Sequence, residues 1–240
     1  MGFADTIAAM KTPSETPLDR PAWHALNSVH LPLSVGDARA RRYDPQVNRF
    51  ASARDGAPDA QIALAALVQP GEQVYVLQVP DIAVPEGLVA VRRALGVQLV
   101  AQAPVAPPES RAYRIVALGP DDAVDMLALA TLTEPGPFLS QTHRMGQFVG
   151  VRVDGRLAAM AGERFRFPGY TEVSGVCTHP DFRGHGLAKQ LSRHVAAAIA
   201  ARGETAFLHS WKDNAAAIAL YEALGFQLRC EVQVAVLERA

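Results

Sequence analysis

The 240-residue chain carries 23 Lys and Arg against 24 Asp and Glu, a formal net charge of −1, and 49% of its residues are hydrophobic. That length and apolar content suffice for one large domain or two small ones with packed cores. The near-neutral balance excludes a general electrostatic grip on nucleic acid, which needs a basic excess, and no apolar run approaches the ~18 residues of a membrane-spanning helix.

Residues 1–20 read as a loose arm punctuated by Pro13 and Pro17, and residues 39–44 as a polar stretch with scattered charges (Arg39, Arg41, Arg42, Asp44). The first periodic signals are a helical pattern over 61–68 and a strand over 73–79. A proline-rich connector over 103–110 can neither propagate a helix nor donate fully to a sheet. A strand over 114–117 follows, then a helix that Asp121 or Asp122 can cap. Strands over 147–153 and 157–164 flank Asp154-Gly155, a strong hairpin signal. The pattern continues as a strand over Tyr170–Thr178, a helix over 187–201, a strand over Thr205–Trp211, a helix over 215–224 and a final strand over 231–237. Strands connected by crossover helices predict an α/β fold with a mixed sheet.

The most informative segment is Val-Cys-Thr-His-Pro-Asp-Phe-Arg-Gly-His-Gly-Leu-Ala, residues 176–188. A strand is stopped by Pro180, and a turn with two glycines leads straight into a helix. Such a turn aims several backbone N–H groups at one point, where the helix dipole adds partial positive charge. Gly184 and Gly186 permit φ > 0 and close approach of an anion, and Arg183 adds a cation. The pattern is a phosphate or pyrophosphate cradle. It is not a Walker A loop, because Lys189 is followed by Gln190, and the small residues do not fit Gly-x-Gly-x-x-Gly.

The spacing Arg183-x-x-Gly186-x-Ala188 resembles the Arg/Gln-x-x-Gly-x-Gly/Ala motif of the GNAT superfamily of N-acetyltransferases. Asn214 to Phe226, read as Asn-x-x-Ala-x-x-Leu-Tyr-x-x-x-Gly-Phe, is similar to that family's second signature. The two occur in the family's order, and the resemblance covers residues 112–240. The run Tyr-Thr-Glu-Val-Ser-Gly-Val-Cys-Thr-His-Pro looks most like the FR47-like branch. The resemblance implies a GNAT fold, with a mixed central sheet flanked by helices, and acetyl-CoA as co-substrate. It places the CoA pyrophosphate at Arg183, Gly184, His185, Gly186, Leu187 and Ala188, and the pantetheine arm along Val176, Cys177 and Thr178. Asn214 and Tyr221 touch the cofactor in the same picture.

Acyl transfer from a thioester to an amine needs a proton acceptor for the amine, a donor for the oxyanion and an acid for the departing thiolate. Tyr221 stays protonated at neutral pH and suits the last task, which the resemblance also assigns to it. As an ordinary residue it would simply pack on a half-buried helix face. Glu172 stands in the strand that enters the cradle, where an unpaired carboxylate is unusual. The resemblance makes it the general base, with solvent-facing strand residue as the plain alternative. Glu163 competes, although Arg164 and Arg166 beside it suggest an ion pair. The backbone N–H of Val176 becomes the oxyanion donor if the strand splays there. Asn214 is equally explained as a helix N-cap. His209 and Trp211 end a strand near the thioester and line the pocket or pack in the core. Cys177, His179 and His185 lack metal-ligand spacing, so no metal is expected, and no His–Asn arrangement makes Cys177 a nucleophile.

The expected reaction is therefore direct transfer of an acetyl group to a primary amine carried by a small molecule or an amino acid, without nucleic-acid or membrane partners. Two alternatives remain: a catalytically silent CoA-binding sensor or scaffold, and use of a longer acyl-CoA in the manner of glycine N-acyltransferases. Two cysteines, Cys177 and Cys230, point away from a disulfide framework and towards a cytoplasmic setting. Pairing into a homodimer is compatible with this picture. Finally, Ala94-Leu-Gly-Val-Gln-Leu99 echoes Ala223-Leu-Gly-Phe-Gln-Leu228, each read as following a helical stretch and, further back, a strand. The echo suggests a degenerate GNAT-like half over 1–110 that lost its cofactor site, ahead of a catalytic domain over 111–240.

Overall fold

The computed structural model describes residues 16–103, 105–106 and 113–240. Most of the expected amino-terminal arm and proline-rich connector lies outside the described residues. The chain enters through a short 3₁₀ turn capped by Thr16, then α1 (Pro21–Leu26), started by a proline whose missing N–H costs nothing there. Three short strands, β1 (Ser34–Gly36), β2 (Ala40–Tyr43) and β3 (Ala51–Ala53), make a small antiparallel sheet. The polar stretch around Arg41 and Arg42 is thus strand, because Ala40 and Tyr43 are buried beside them. Helix α2 (Pro58–Leu67) and strands β4 (Gln73–Gln78) and β5 (Leu88–Ala101) follow.

Beyond the connector come β6 (Val116–Leu118), α3 (Ala123–Thr133), β7 (Phe148–Val153), β8 (Arg156–Phe167) and β9 (Tyr170–Thr178). Helix α4 (Leu187–Ala201), β10 (Thr205–Trp211), α5 (Ala215–Glu222) and β11 (Phe226–Arg239) complete the chain. Asp154 and Gly155 both take positive φ, the backbone a tight two-residue hairpin requires. Along α4, Leu187, Leu191, Val195 and Ile199 recur every four residues and are buried against Val97, Leu99, Val173 and Leu208 of the sheet. Each such side chain contributes about 2 kcal/mol of burial.

The eight-stranded sheet runs β4-β11-β5-β10-β9-β8-β7-β6. Its one parallel pair is β9 with β10, joined by α4. Strand β5 lies between β10 and β11 and pairs antiparallel with both, while β4 pairs with β11. Strands from either side of residue 110 therefore share one sheet. The pairs β4–β5 and β10–β11 interlock, each lending a strand to the other's neighbourhood.

The echo does not survive as a structural equivalence. Ala94–Leu99 lies wholly within β5, whereas Ala223 to Gly225 finish α5 and its turn. No helix lies between β4 and Ala94: residues 79–87 form a loop. The β-branched Val89, Val91, Val97 and Val100 suit a pleated sheet better than a helix. At the proposed offset Arg92, a strand residue, would stand at helical Tyr221.

Alternation along the strands separates two faces. Val97, Leu99, Val173 and Leu208 meet α4. Gly96, Gln98, Glu172 and His209 lie on the opposite face, below α1 and the segment that carries Tyr43 and Phe50. Strands β9 and β10 pair only from Tyr170 to Glu172. Past that point β9 carries a bulge where its register on β8 jumps between Ser174 and Cys177, with Gly175 at φ +61°. The bulge bends β9 away from β10 and opens a gap through the sheet.

Candidate functional site

One cavity of about 680 Å³ occupies that gap, reaching from the turn before α4 to the opposite side of the sheet. At one end are Arg183, Gly184, Gly186, Leu187, Ala188 and Lys189; Val176, Cys177 and Thr178 line its middle, with Asn214 and Tyr221 on the α5 side. The sequence-derived set thus gathers on one cavity. Two of the set, Glu172 and His185, are not among the lining residues; His185 Nδ1 lies 2.9 Å from the Arg183 carbonyl and reinforces the turn from outside.

The cradle has the expected backbone. Gly184 and Gly186 take φ of +81° and +72°, and a Cβ on either would meet no protein atom within 4 Å. The space a side chain would fill is open, which is what close approach of a ligand's oxygens requires. Gly186 is the N-cap of α4 and offers no side chain to its first N–H groups. Those donors, with Arg183 and Lys189 beside them, fit a pyrophosphate.

Glu172 departs from the expectation of a proton acceptor. Its carboxylate is fully buried and receives Arg164 Nε at 2.7 Å and Nη2 at 2.5 Å, the Phe165 N–H at 3.3 Å and His209 Nδ1 at 2.7 Å. Four donors saturate its oxygens. Burial alone pushes the carboxyl up, but the Arg164 charge and His209 outweigh it and hold it at about 2. Such a group is an anchor and a weak base.

His209 completes a buried chain. Its Nε2 is 3.0 Å from Gln98 Nε2, and that amide is oriented by donation to the Leu18 carbonyl at 2.8 Å and by Arg229 on its Oε1 at 2.8 Å. Gln98 therefore donates to Nε2, and His209 donates from Nδ1 to Glu172. Burial lowers the His209 pKa against the pull of Glu172, so the ring is neutral. Arg229 is the extra residue of a bulge in β11, which turns it towards Gln98 and Asp19.

Glu163 pairs with Arg202 at 2.7 Å, not with the neighbouring Arg164 or Arg166, which go to Glu172 and Glu204. Alternation turns Arg164 to the other face, whereas Arg166, past a bulge in β8, meets Glu204, which shares Arg202 with Glu163. Tyr221 is half-buried on the cavity wall. Loss of hydration and the Glu172 charge raise its hydroxyl to about 12, which keeps the proton available for donation. Asn214 caps α5, its Oδ1 accepting from the Ala217 N–H at 3.1 Å, and also borders the cavity. The buried Cys177 thiol is pushed up to about 11, mainly by burial, and is a poor nucleophile. Among the described residues no group of three or more His, Cys, Asp or Glu is placed to hold a metal, and no helix is long and apolar enough to cross a membrane.

Sequence reasoning gave Arg164 to Glu163 rather than to Glu172 and missed Gln98, Arg229 and the contribution of the first half: Phe50, Tyr75 and Leu77 line the cavity. Gln98, a polar residue in an apolar run of β5, was the available signal for a buried hydrogen-bond network.

Residues 148–235 match the family model described as FR47-like protein. A crystal structure from Novosphingobium aromaticivorans, described as an acetyltransferase of the GNAT family, is 46% identical with a TM-score of 0.87. The match covers 94% of this chain and 100% of that one. A GCN5-related N-acetyltransferase from Kribbella flavida shares the fold at 19% identity and a TM-score of 0.60, over 90% of this chain and 91% of its own. Over 83 residues, 33% of this chain, the sequence is 36% identical to N-alpha-acetyltransferase RimI of Mycobacterium tuberculosis, and the match spans about half, 51%, of that relative.

Proposed function

The chain belongs to the GNAT family of acetyltransferases, with an FR47-like region over 148–235, and on that premise we propose that it transfers an acetyl group from acetyl-CoA directly to a primary amine. The observation that carries this reading is the cradle: two positive-φ glycines with open space above them at the uncapped N-terminus of α4. Acetyl-CoA supplies the reactive thioester. Arg183, Lys189 and the backbone of residues 184–188 hold its pyrophosphate, and the diverging edge of β9 receives the pantetheine arm. Backbone N–H groups freed where β9 leaves β10, with that of Val176 the assigned donor, stabilise the oxyanion.

Tyr221 is the general acid for the departing thiolate, its proton retained at neutral pH by burial and by Glu172. The amine reacts as its free base and gives its proton to solvent in the cavity. Glu172 fixes Arg164 and His209 in the wall. Direct transfer, with no acyl-enzyme, accords with the protonated, buried Cys177.

Incubating the protein with acetyl-CoA and a panel of primary amines, while following thiol release and product mass, tests the reading. N-acetylated product with matching thiol release is expected. Tight CoA binding with no product from any amine would replace it by the sensor or scaffold reading.

A further inference from the structure

We propose, resting on the acyltransferase reading, that the acceptor is an amine carried on an uncharged apolar body, and that the cavity end built by the first half of the chain selects it against polyamines and other dibasic acceptors. The end of the cavity remote from the cradle lies on the β4–β11–β5–β10 side of the sheet. There Tyr75 and Leu77 of β4 and Val232 and Val234 of β11 stand on one face, because Leu77 pairs with Val234 in the ladder. Phe50 closes over Tyr75 with ring centroids 5.8 Å apart. Trp211 and Val232 both stand across from Gly96, and the Val232 side chain covers that glycine.

Charge at this end has one sign. Arg164 lines the cavity and stacks on Phe50 at 4.8 Å, and Arg92 lies 5.4 Å over the Trp211 ring. The carboxylate of Glu172 is saturated by four donors and has no oxygen to give. Among the lining residues the one acid is Glu134, in the loop after α3. Glu134 is exposed to solvent at the C-cap of that helix, which packs on β8 and β9. A second ammonium at the apolar end would be stripped of water without a counter-ion. A hydrocarbon body would bury its surface there at no such cost.

Hexylamine and 1,6-diaminohexane form a matched pair of equal length that differ by one ammonium, charged at neutral pH like a lysine. Two readouts are taken on the full-length protein: kcat/KM for thiol release with acetyl-CoA, and calorimetric binding of each amine to the protein saturated with CoA. Hexylamine should be preferred by at least about 30-fold in both. Equal values, or preference for the diamine, would overturn the proposal. If neither amine turns over, the binding ratio alone decides the present proposal, and the acyltransferase reading is decided by the amine panel: heat from hexylamine and none from the diamine supports the proposal, and no hexylamine binding overturns it. A hexanoyl-CoA that outperforms acetyl-CoA, with no advantage for hexylamine, would give the apolar end to the acyl chain and overturn it too. Tyr75→Glu supplies the missing anion and should narrow the ratio by at least about tenfold. An unchanged ratio in a variant that still binds CoA would contradict the placement, and the wild-type pair decides the matter should that variant misfold.

Discussion

Replacing Glu172 by Gln keeps the shape of the side chain and removes the charge that Arg164 and His209 share. The folded-state pKa of about 2 lies below the ordinary value of 4.5, so the native state binds this proton less readily than the unfolded chain. The stability it contributes is complete above the unfolded value and is lost as pH falls towards the folded one. At about 1.4 kcal/mol per pKa unit the contribution is about 3 kcal/mol at pH 7, of which about 2 is gone by pH 3. The substitution also leaves the Arg164 charge without its buried partner, which typically costs about 3–5 kcal/mol. Urea unfolding at fixed ionic strength, followed by tryptophan fluorescence at pH 7 and pH 3, reads both effects. Glu172→Gln should be less stable at pH 7 by several kcal/mol and should lose about 2 kcal/mol less than the wild type between the two pH values. Parallel losses in the two proteins would refute the claim that Glu172 is an ionised anchor.

Tyr221→Phe should lower turnover on the order of 10²–10⁴-fold with little change in CoA affinity; wild-type turnover would make the residue structural. Cys177→Ala should leave more than about a tenth of the activity, and native protein should resist alkylation at Cys177, since its thiol is buried and held at about 11; acetylated Cys177 on mass spectrometry would contradict direct transfer. A fragment of residues 111–240 lacks β5 and so exposes the facing edges of β10 and β11. It should aggregate on expression, and a soluble fragment with unaltered acceptor kinetics would refute the role given to the first half.

The second half was legible because its signals are local. A four-residue apolar period gave α4, a two-residue turn gave the β7–β8 hairpin, and glycine spacing gave the cradle. The first half was less legible because its strands are defined by partners far along the chain. Strand β5 is held by β10 and β11, more than a hundred residues away, and its Ala-Leu-Gly core carries no helix-or-strand preference strong enough to announce it. Glu172 was legible as an unusual buried carboxylate. Its saturation was not, because Arg164, Phe165 and His209 converge on it from strands β8 and β10, and spacing in sequence does not report that convergence. Glu163 shows the same limit: adjacent arginines suggested its partner, yet Arg164 turns to Glu172 on the other face, Arg166 goes to Glu204, and Arg202 arrives from the end of α4.

The account stands on the turn at residues 183–188 as a CoA site. Calorimetric titration of CoA into the wild type and into Gly186→Val, with circular dichroism to confirm the fold, tests it most directly. A valine there would fill the open space above the turn and strain a backbone held at φ +72°. The wild type should bind one CoA per chain and the folded variant none. Unchanged affinity in the variant, or two sites per chain in the wild type, would contradict the assignment.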